Sequence, residues 1–514
     1  MRTLSARFLL AGVVAGLISF ASGAVADSLR QGRHVVVVVW DGMRPDFVSE
    51  QNTPTLWKLA KNGVIFKNNH SVYPSATIVN GTAINTGVYP DRSGILANHD
   101  YLSAIDSKKS VDVENVGVVR KGDKATHGKY VGAPTIAELV HEQGGKTAIA
   151  AAKTVGLLFD RHAEPQTGGD IFGGESLPHE AVAEIAKTLG MFPEATQAAA
   201  RDAWTTKALT DFLWREEIPA FSLLWLSEPD DTEHHTAPGD PAALAAIKSS
   251  DQNLARVLEA LEKRNARSTT DVFVVSDHGF STIARSIDIR KILRDAGFDA
   301  VTEFAGEPKP GQIMIVGNGG TVLFYVIGHD KEVTRRLVEF LQQTDFAGVI
   351  FARDKIDGTF TLDQAKIDNE HGPDVEMAFR WSEEKNKFGA AGMMDGDWQR
   401  AAGKGTHATL SKFEMRKMLI AAGPDFQSGL TSDLPSGNVD LAPTILSILG
   451  IKSANSMDGR VLSEAMANPK SSKSETQTVE AIRRFPSGVW RQELKISRVG
   501  STIYLDEGNG AFTR

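Results

Sequence analysis

The sequence predicts an α/β fold in which one sheet is covered by helices on both faces. The run Val35–Trp40 is apolar and β-branched without polar alternation, which is typical of a central parallel strand that is buried on both sides. Stretches with helical spacing and helix caps separate further apolar runs, and this alternation indicates a helix-covered sheet. These further runs are Lys146–Ala152, Phe221–Leu226, Asp271–Val275 and Lys417–Ala421.

Helix signals and two exceptions complete the predicted order of elements. Thr53 and Pro54 begin a capped helix that ends near Gly63, and Asp240 with Pro241 opens a long helix through Leu261. We expect the main domain to comprise residues 27–280 and 401–469. Residues 281–400, with TVLFYVIG, a helix near 331–343 and DVEMAFRW, predict a small inserted α+β cap. Residues 470–514 end in alternating polar and apolar positions, which predict a C-terminal antiparallel β-hairpin.

Composition excludes several classes of protein. The 514 residues are 41% hydrophobic and 23% charged, which is ordinary for a globular chain and argues against disorder. The net charge of -8 leaves no basic surplus for a long nucleic acid, although a small phosphorylated ligand remains possible. With 0 Cys there is no disulfide, thiol nucleophile or cysteine metal site. Any metal ion must therefore be bound by His, Asp, Glu or hydroxyl groups.

The amino terminus has the layout of a secretory signal. Residues 1–26 carry Arg2 and Arg7, then an apolar run, then small residues that end at Ala26. An uncleaved membrane anchor is the alternative, but glycine and serine interrupt the apolar run. We expect cleavage after Ala26 and a secreted or periplasmic product, with no membrane segment after cleavage.

Acidic residues and histidines follow the predicted strands. In α/β sheets, ligands bind beyond the carboxyl ends of the strands, so such residues are candidates for a common site. Each alone is more often a turn or cap residue, but the group suits two borderline or hard divalent cations. Two ions close together favour in-line displacement at phosphorus. The candidates are Asp41, Asp230, His234, Asp277, His278 and His407.

A hydroxyl group near a predicted helix start supplies a nucleophile for such a site. The segment 73–82, YPSATIVNGT, begins as a turn with proline and continues as a helix, whose amino terminus attracts phosphate oxygens. Either Ser75 or Thr77 could attack phosphorus. The alternative is that one of them only caps the helix.

Several ordered motifs over residues 34–451 resemble the type I phosphodiesterase/nucleotide pyrophosphatase family of the alkaline phosphatase superfamily. This resemblance implies an alkaline-phosphatase-like core sheet between helices, and a hydrolase of phosphodiester or pyrophosphate bonds. The motifs, in chain order, are VVVWDGMRPD, PSATIVNGTAINTGVYPDRSGILAN, EPDDTEHH, VVSDHGF, GTHATLSKFEMRKMLIAAGPDF and NVDLAPTILSILG.

The resemblance also implies a role for each site residue. Thr77 is then the nucleophile, which forms a covalent phosphothreonine, and Ser75 is structural. Asn98 holds a phosphoryl oxygen through its amide. The family usually binds two Zn²⁺ ions, and the resemblance divides the ligands between them. Asp230, His234 and His407 bind one ion, and Asp41, Asp277, His278 and the Thr77 oxygen bind the other.

Lys153 and two departures from the family pattern leave the substrate open. Some monoesterase and phosphonate-hydrolase relatives use Lys-x-Arg or Lys-x-Lys to bind phosphate, and only Lys153 of such a pair is present. Residues 78–81 read Ile-Val-Asn-Gly where many relatives have Phe-Pro-Asn-His, and Glu233 replaces the usual glycine. The leading hypothesis is therefore an exported two-metal phosphodiesterase for a small phosphorylated substrate, for example a nucleotide. A phosphomonoesterase, a phosphonate hydrolase and a catalytically silent binding protein remain alternatives.

Overall fold

The computed structural model describes residues 29–452 and 456–514, so the predicted signal segment lies outside the described residues. Up to residue 280 the strands are β1 (His34–Trp40), β2 (Val64–His70), β3 (His99–Asp100), β4 (Val111–Asp112), β5 (Thr147–Ala151), β6 (Gly168–Phe172), β7 (Glu175–Leu177), β8 (Phe221–Leu226) and β9 (Thr270–Val275). The helices are α1 (Pro54–Lys61), α2 (Thr77–Thr86), α3 (Pro90–Ser93), α4 (Val116–Thr126), α5 (Ile136–Glu142), α6 (Ala181–Leu189), α7 (Ala198–Lys207), α8 (Asp230–His235) and α9 (Pro241–Lys263).

From residue 281 the chain is richer in strands. These are β10 (Ser281–Ile287), β11 (Ala300–Val301), β12 (Ile313–Gly317), β13 (Thr321–Val326), β14 (Ala347–Ala352), β15 (Phe360–Thr361), β16 (Val375–Phe379), β17 (Trp381–Lys385), β18 (Ala391–Asp397), β19 (Gly405–Thr406), β20 (Arg416–Lys417), β21 (Leu419–Ala422), β22 (Leu430–Gly437), β23 (Ser474–Phe485), β24 (Gly488–Val499) and β25 (Thr502–Thr513). The helices are α10 (Ile289–Asp295), α11 (Lys331–Leu341), α12 (Lys412–Met415) and α13 (Leu441–Leu449).

The predicted helix-covered sheet is confirmed, with β1 at its centre. The strand order is β20-β2-β21-β9-β1-β8-β5-β6-β7, and β22 pairs with β2. Val35, Val37 and Val39 pack into the core on one face, whereas Val36 and Val38 pack into the core on the other. The uninterrupted apolar run therefore follows from burial on both faces. The sheet is mixed, because β21 pairs antiparallel with β9.

Helix α1 begins where the sequence predicts, but its cap comes from a distant residue. The Thr53 side chain makes no capping hydrogen bond to the helix. Instead, the Asp251 carboxylate of α9 accepts hydrogen bonds from the backbone N–H groups of Thr55 at 3.0 Å and Leu56 at 2.9 Å. This contact between helices was not visible in the local sequence.

Two further sheets occupy most of the region between residues 281 and 406. One has the order β11-β12-β13-β16-β14-β15, and the other has the order β17-β18-β10-β19. The predicted boundaries of the inserted cap stay a prediction. Among the described residues, no helix is both long enough and apolar enough to cross a membrane.

The carboxyl-terminal extension is antiparallel, as predicted, and contains three strands rather than two. Strands β24 and β25 correspond to the predicted hairpin, while β23 adds a third strand along β24. Most β23 residues are exposed in its first half, so the segment lacks the alternation that would reveal a strand. The Gln492 side chain bonds to both backbone groups of Ile350 on β14, and Tyr504 donates to Asp440 of the core. The extension therefore joins the inserted sheet to the core.

A buried acid on β16 should make the fold's stability depend on pH. Glu376 has 0% exposure, and the Tyr73 hydroxyl lies close to its carboxyl group. Burial raises the pKa of Glu376 to about 8. This pKa exceeds that of an unfolded glutamate. The contribution of Glu376 to the free energy of unfolding is therefore fully present below about pH 4.3 and is lost as the pH rises through about 8.

We predict that Glu376→Gln will remove this loss of stability, because the amide cannot ionise. The free energy of unfolding of the variant minus that of the original protein should therefore be larger at pH 9 than at pH 5, by at least about 2 kcal/mol. Urea unfolding at both pH values measures this difference. Glu370→Gln, at an exposed glutamate, is the control. An unchanged difference between the two pH values would contradict the prediction.

Candidate metal centre and nucleophile

The candidate site lies where three neighbouring parallel strands end. Strand β1 pairs in parallel with both β8 and β9. Asp41 directly follows β1, Asp230 begins α8 after β8, and Asp277 follows β9. Because the carboxyl ends of parallel strands share one sheet edge, these three carboxylates lie close together.

Three histidines meet this carboxylate cluster. The Nε2 atom of His278 lies 3.4 Å from Asp41 Oδ1 and 3.2 Å from Asp277 Oδ2. The Nε2 atoms of His234 and His407 lie 3.3 Å and 3.5 Å from Asp230 Oδ1. The structure thus brings together all six predicted Asp and His residues.

Backbone carbonyls fix the orientation of each imidazole. The Nδ1 atom of His278 lies 2.9 Å from the Gly279 carbonyl oxygen, and that of His407 lies 2.9 Å from the Ser75 carbonyl oxygen. His234 Nδ1 lies 3.1 Å from a third carbonyl oxygen. Because a carbonyl only accepts, each Nδ1 carries the proton, and in the neutral ring each Nε2 presents a lone pair to the carboxylates.

Electron-rich atoms therefore face one another in a buried volume, which is the arrangement that a cation stabilises. Asp41 Oδ1, Asp230 Oδ1 and Asp277 Oδ2 are buried and have no hydrogen-bond partner in the described structure. Within each of two groups of three residues, the ligand atoms all lie within 4.8 Å of one another. They are Asp230, His278 and His407, and Asp41, Asp277 and His278. The donor set fits two divalent cations, with His278 within reach of both groups.

Burial shifts the pKa values of the carboxyl and imidazole groups in this cluster. Burial raises the pKa of Asp41 well above its ordinary value, and the neighbouring Asp277 raises it further. Burial also lowers the pKa values of His278 and His407, so these imidazoles are neutral at pH 7. Neutral imidazole is the form that binds a metal ion.

Thr77 occupies the first position of α2 and faces the same cluster. Its Oγ1 lies 3.1 Å from His278 Nε2, and the side chain is 5% exposed. The Asn98 Oδ1 atom accepts a hydrogen bond of 2.9 Å from the Ile78 N–H in the first turn of α2. Within residues 29–452 and 456–514 the amide nitrogen of Asn98 donates no hydrogen bond, so its N–H groups are available to a ligand. Ser75 instead donates to the Thr409 carbonyl at 2.8 Å, away from the cluster.

A buried amide network fixes α2 relative to the metal ligands. Asn80 Nδ2 donates to the carbonyls of Val72, Pro74 and Ala76, so its side chain supports the turn before Thr77. Asn438 Nδ2 donates to Asn80 Oδ1 at 2.9 Å and to the Asp277 carbonyl at 2.8 Å.

Lys153 contacts the carboxylates through the oxygens that do not face the histidines. Its Nζ atom lies 2.9 Å from Asp41 Oδ2 and 2.6 Å from Asp230 Oδ2. Although burial opposes the charged form, these carboxylates outweigh it and raise the pKa of Lys153. Asp231 Oδ1 lies 3.7 Å from the same Nζ atom, so Lys153 is a cation that already has three carboxylate partners.

Sequence reasoning missed three groups that position the ligands. The Trp225 indole donates to Asp41 Oδ2 at 3.0 Å, and the Gly42 N–H donates to Asp277 Oδ1 at 3.0 Å. Asn438 is the third, although it lies within the quoted NVDLAPTILSILG motif. Its position at the start of that motif was the available signal.

Comparisons with known proteins identify the same family that the sequence motifs resemble. A profile of the family described as type I phosphodiesterase/nucleotide pyrophosphatase matches residues 35–374. The chain is 24% identical over 471 residues to venom phosphodiesterase from Macrovipera lebetinus, which covers 89% of the chain and 48% of that relative. It is 23% identical to human ectonucleotide pyrophosphatase/phosphodiesterase family member 5 over 279 residues, which cover 54% of the chain and 51% of that relative. The chain thus spans about half the length of these curated relatives.

Solved structures agree on the fold. Murine ectonucleotide pyrophosphatase/phosphodiesterase 5 superposes with a TM-score of 0.61 and 17% identity, over 85% of this chain and 100% of that one. An inactive form of the same murine protein in complex with AMP superposes with a TM-score of 0.60 and 16% identity, over the same shares of both chains.

The amide network predicts energetic coupling between Asn438 and Lys417. Lys417 is fully buried, and its Nζ donates to Asn438 Oδ1. We expect Asn438→Ala to lower the free energy of unfolding by about 3 kcal/mol, because buried polar groups lose their partner. Combined with Lys417→Met, the loss should be smaller than the sum of the single losses by at least about 1 kcal/mol. Urea unfolding of the original protein, the two single variants and the double variant measures this coupling. Additive losses would refute it.

Proposed function

Because the chain belongs to the type I phosphodiesterase/nucleotide pyrophosphatase family, we propose that it is a two-metal hydrolase of phosphodiester or pyrophosphate bonds. The observation that carries this proposal is the convergence of two Asp/His groups beside a hydroxyl at a helix start. A small phosphorylated compound such as a nucleotide is the proposed substrate. An AMP complex of a related murine protein supports this choice.

The proposed division of the metal ligands follows the family resemblance, and His278 also lies close to Asp230 and His407. Asp230, His234 and His407 would hold one ion, and Asp41, Asp277, His278 and Thr77 the other. Zn²⁺ is the proposed metal, since imidazole and carboxylate donors without thiolate suit it. Ions bound there supply Lewis acidity, which lowers the pKa of a hydroxyl and neutralises charge on phosphoryl oxygens.

Thr77 is the proposed nucleophile in a two-step displacement. In the first step the Thr77 Oγ1–phosphorus bond forms as the bond to the leaving oxygen breaks, and the hydroxyl proton passes to the leaving oxygen, giving a phosphothreonine. In the second step a water oxygen replaces Oγ1 on phosphorus, and Thr77 regains a proton from that water. Two inversions give net retention at phosphorus.

Asn98 and the amino terminus of α2 would hold the transferring group. The Asn98 amide is oriented by its hydrogen bond to the Ile78 N–H, so its own N–H groups can donate to a phosphoryl oxygen. The helix start adds a positive potential at the same place. These donors are positioned before the reaction and favour the charge that develops on phosphorus oxygens.

A phosphomonoesterase or phosphonate hydrolase at the same site is the second candidate, and Lys153 is the observation that favours it. A monoester dianion needs more positive charge than a diester. However, the Lys153 ammonium is already paired with Asp41 and Asp230, so it supports ligand carboxylates and has less charge to offer a substrate. This pairing makes the diester the preferred proposal.

Export is proposed as well. Residues 1–26 have the order of a secretory signal, and a secreted or periplasmic enzyme would meet extracellular phosphodiesters. Sequencing the amino terminus of the protein recovered outside the cytoplasm would locate the cleavage site.

We predict that Thr77→Ala will lower kcat for bis-p-nitrophenyl phosphate by at least about a thousandfold. The reason is that Thr77 supplies the hydroxyl that faces the Asp and His cluster at the start of α2. Thr77→Ser should retain measurable turnover, because it keeps the hydroxyl. Metal content, measured by mass spectrometry, must be unchanged for the comparison to hold. Wild-type turnover by metal-loaded Thr77→Ala would exclude the covalent step.

We predict that the metal-loaded protein will prefer bis-p-nitrophenyl phosphate to p-nitrophenyl phosphate. Lys153→Met should change the ratio of the two kcat/KM values by less than about threefold, because its charge is engaged by ligand carboxylates. Lys404→Met, at an exposed lysine bonded to the His235 carbonyl, is the control. A monoester preference that collapses in Lys153→Met would establish the second candidate instead. Chelation must abolish both activities.

A further inference from the structure

A cavity of about 740 Å³ lies between the core and the inserted sheet, apart from the metal ligands. Its walls come from the segment 92–105, from α4 and the loop after it, and from the chain near β13 and residues 369–374. None of the proposed metal ligands lines it. Its volume falls in the range of small-molecule sites.

The walls are mostly apolar and aromatic. Ile95, Leu96 and Val113 are buried there, and Tyr101 and Tyr325 contribute rings whose centroids lie 5.5 Å apart. The Tyr101 hydroxyl donates to the Ser107 carbonyl at 2.7 Å, so its donor proton is already used. Such a surface favours an apolar body, and aromatic faces also attract organic cations.

One wall residue is a buried carboxylate that lacks a cationic partner. Asp100 is 1% exposed, and its Oδ1 accepts hydrogen bonds from the Tyr325 hydroxyl and from the Tyr101 N–H. Its Oδ2 has no hydrogen-bond partner within residues 29–452 and 456–514. A buried anion without a counter-charge is costly, so this oxygen is a place where a ligand cation would be stabilised.

The charged groups near the mouth already have partners or lie at the surface. Arg92 pairs with Asp458 at 2.8 Å, His329 with Asp374 at 2.7 Å, and His371 with Glu370 at 3.2 Å. Lys129 is exposed on the rim. None of these groups forms an ion pair with Asp100 among the described residues, although His371 is near enough to lower the pKa of Asp100 slightly against the effect of burial.

We propose that this cavity binds a small organic ammonium compound with an apolar body, whose cationic nitrogen pairs with Asp100. The tyrosine rings surround the cation, and the aliphatic wall covers the body of the ligand. Asp100 lies two residues beyond Asn98, a separation of about 7 Å in extended backbone. The bound ligand would therefore lie beside the candidate catalytic centre, although its binding does not depend on catalysis.

Calorimetric titration with a matched pair of ligands tests this proposal. The probes are (3-hydroxyphenyl)trimethylammonium and its neutral isostere 3-tert-butylphenol, which share shape and differ in charge. At pH 8 the Asp100 carboxyl is ionised, because burial raises its pKa only to about 6. We expect the cation to bind at least about tenfold more tightly than the phenol.

Two variants and a control separate the charge from the cavity. Asp100→Asn keeps the shape of the side chain and should reduce the preference for the cation to less than about threefold. Ala125→Trp, on the α4 wall, should weaken both ligands, and it tests the cavity even if Asp100→Asn fails to fold. Glu370→Gln removes an exposed carboxylate at the mouth and should leave the preference unchanged. Unfolding curves establish that each variant is folded.

A preference for the cation that falls in folded Asp100→Asn and persists in Glu370→Gln would support the ammonium site. Equal affinity for the two probes, or an unchanged preference in folded Asp100→Asn, would overturn the ammonium site. A preference lost only in Glu370→Gln would place the cation at the mouth and would also overturn it. Because the readout is binding, these results stand whether or not Thr77 and the metal ligands perform phosphodiester hydrolysis.

Discussion

Electrostatic repulsion among three buried carboxylates is the constraint around which the site is arranged. Asp41, Asp230 and Asp277 are held together because β1, β8 and β9 end at one edge of the sheet. The Lys153 ammonium offsets part of this charge, and it does so on the Oδ2 atoms of Asp41 and Asp230. Asp41 Oδ1, Asp230 Oδ1 and Asp277 Oδ2 face imidazole lone pairs and have no hydrogen-bond partner in the described structure, so cations would complete the arrangement.

Tight packing around the strand ends keeps the three carboxylates close together. The valines of β1 fill two separate cores, which holds the strand ends in place on both faces. Helix α2 is buried along its whole length, and the Asn80 and Asn438 amides tie its start to Asp277. Buried networks that are satisfied in this way fix one geometry, because each alternative leaves a polar group unpaired. Thr77 is thereby held with its hydroxyl facing the Asp and His cluster.

The inserted sheet and the carboxyl-terminal sheet decide what surrounds this centre. Gln492 bonds to the backbone of β14 as a neighbouring strand would, and Tyr504 connects the same sheet to Asp440. The inserted sheet in turn supplies Tyr325 beside Asp100, so the large cavity exists only because two parts of the chain meet there. The Asp and His cluster comes from the core strands, whereas the walls of the large cavity come from both parts of the chain.

The sequence by itself determined the core sheet, its strand ends and the identity of the six Asp and His candidates. Apolar runs are local, and a residue that follows a parallel strand must lie at the sheet edge. The tertiary structure alone decided which imidazole nitrogen faces the carboxylates, the pairing of Lys153, the cap that Asp251 provides for α1, and the third carboxyl-terminal strand. Each of these is a contact between residues far apart in the chain. Such contacts depend on the three-dimensional packing of elements, and no local pattern of residues encodes them.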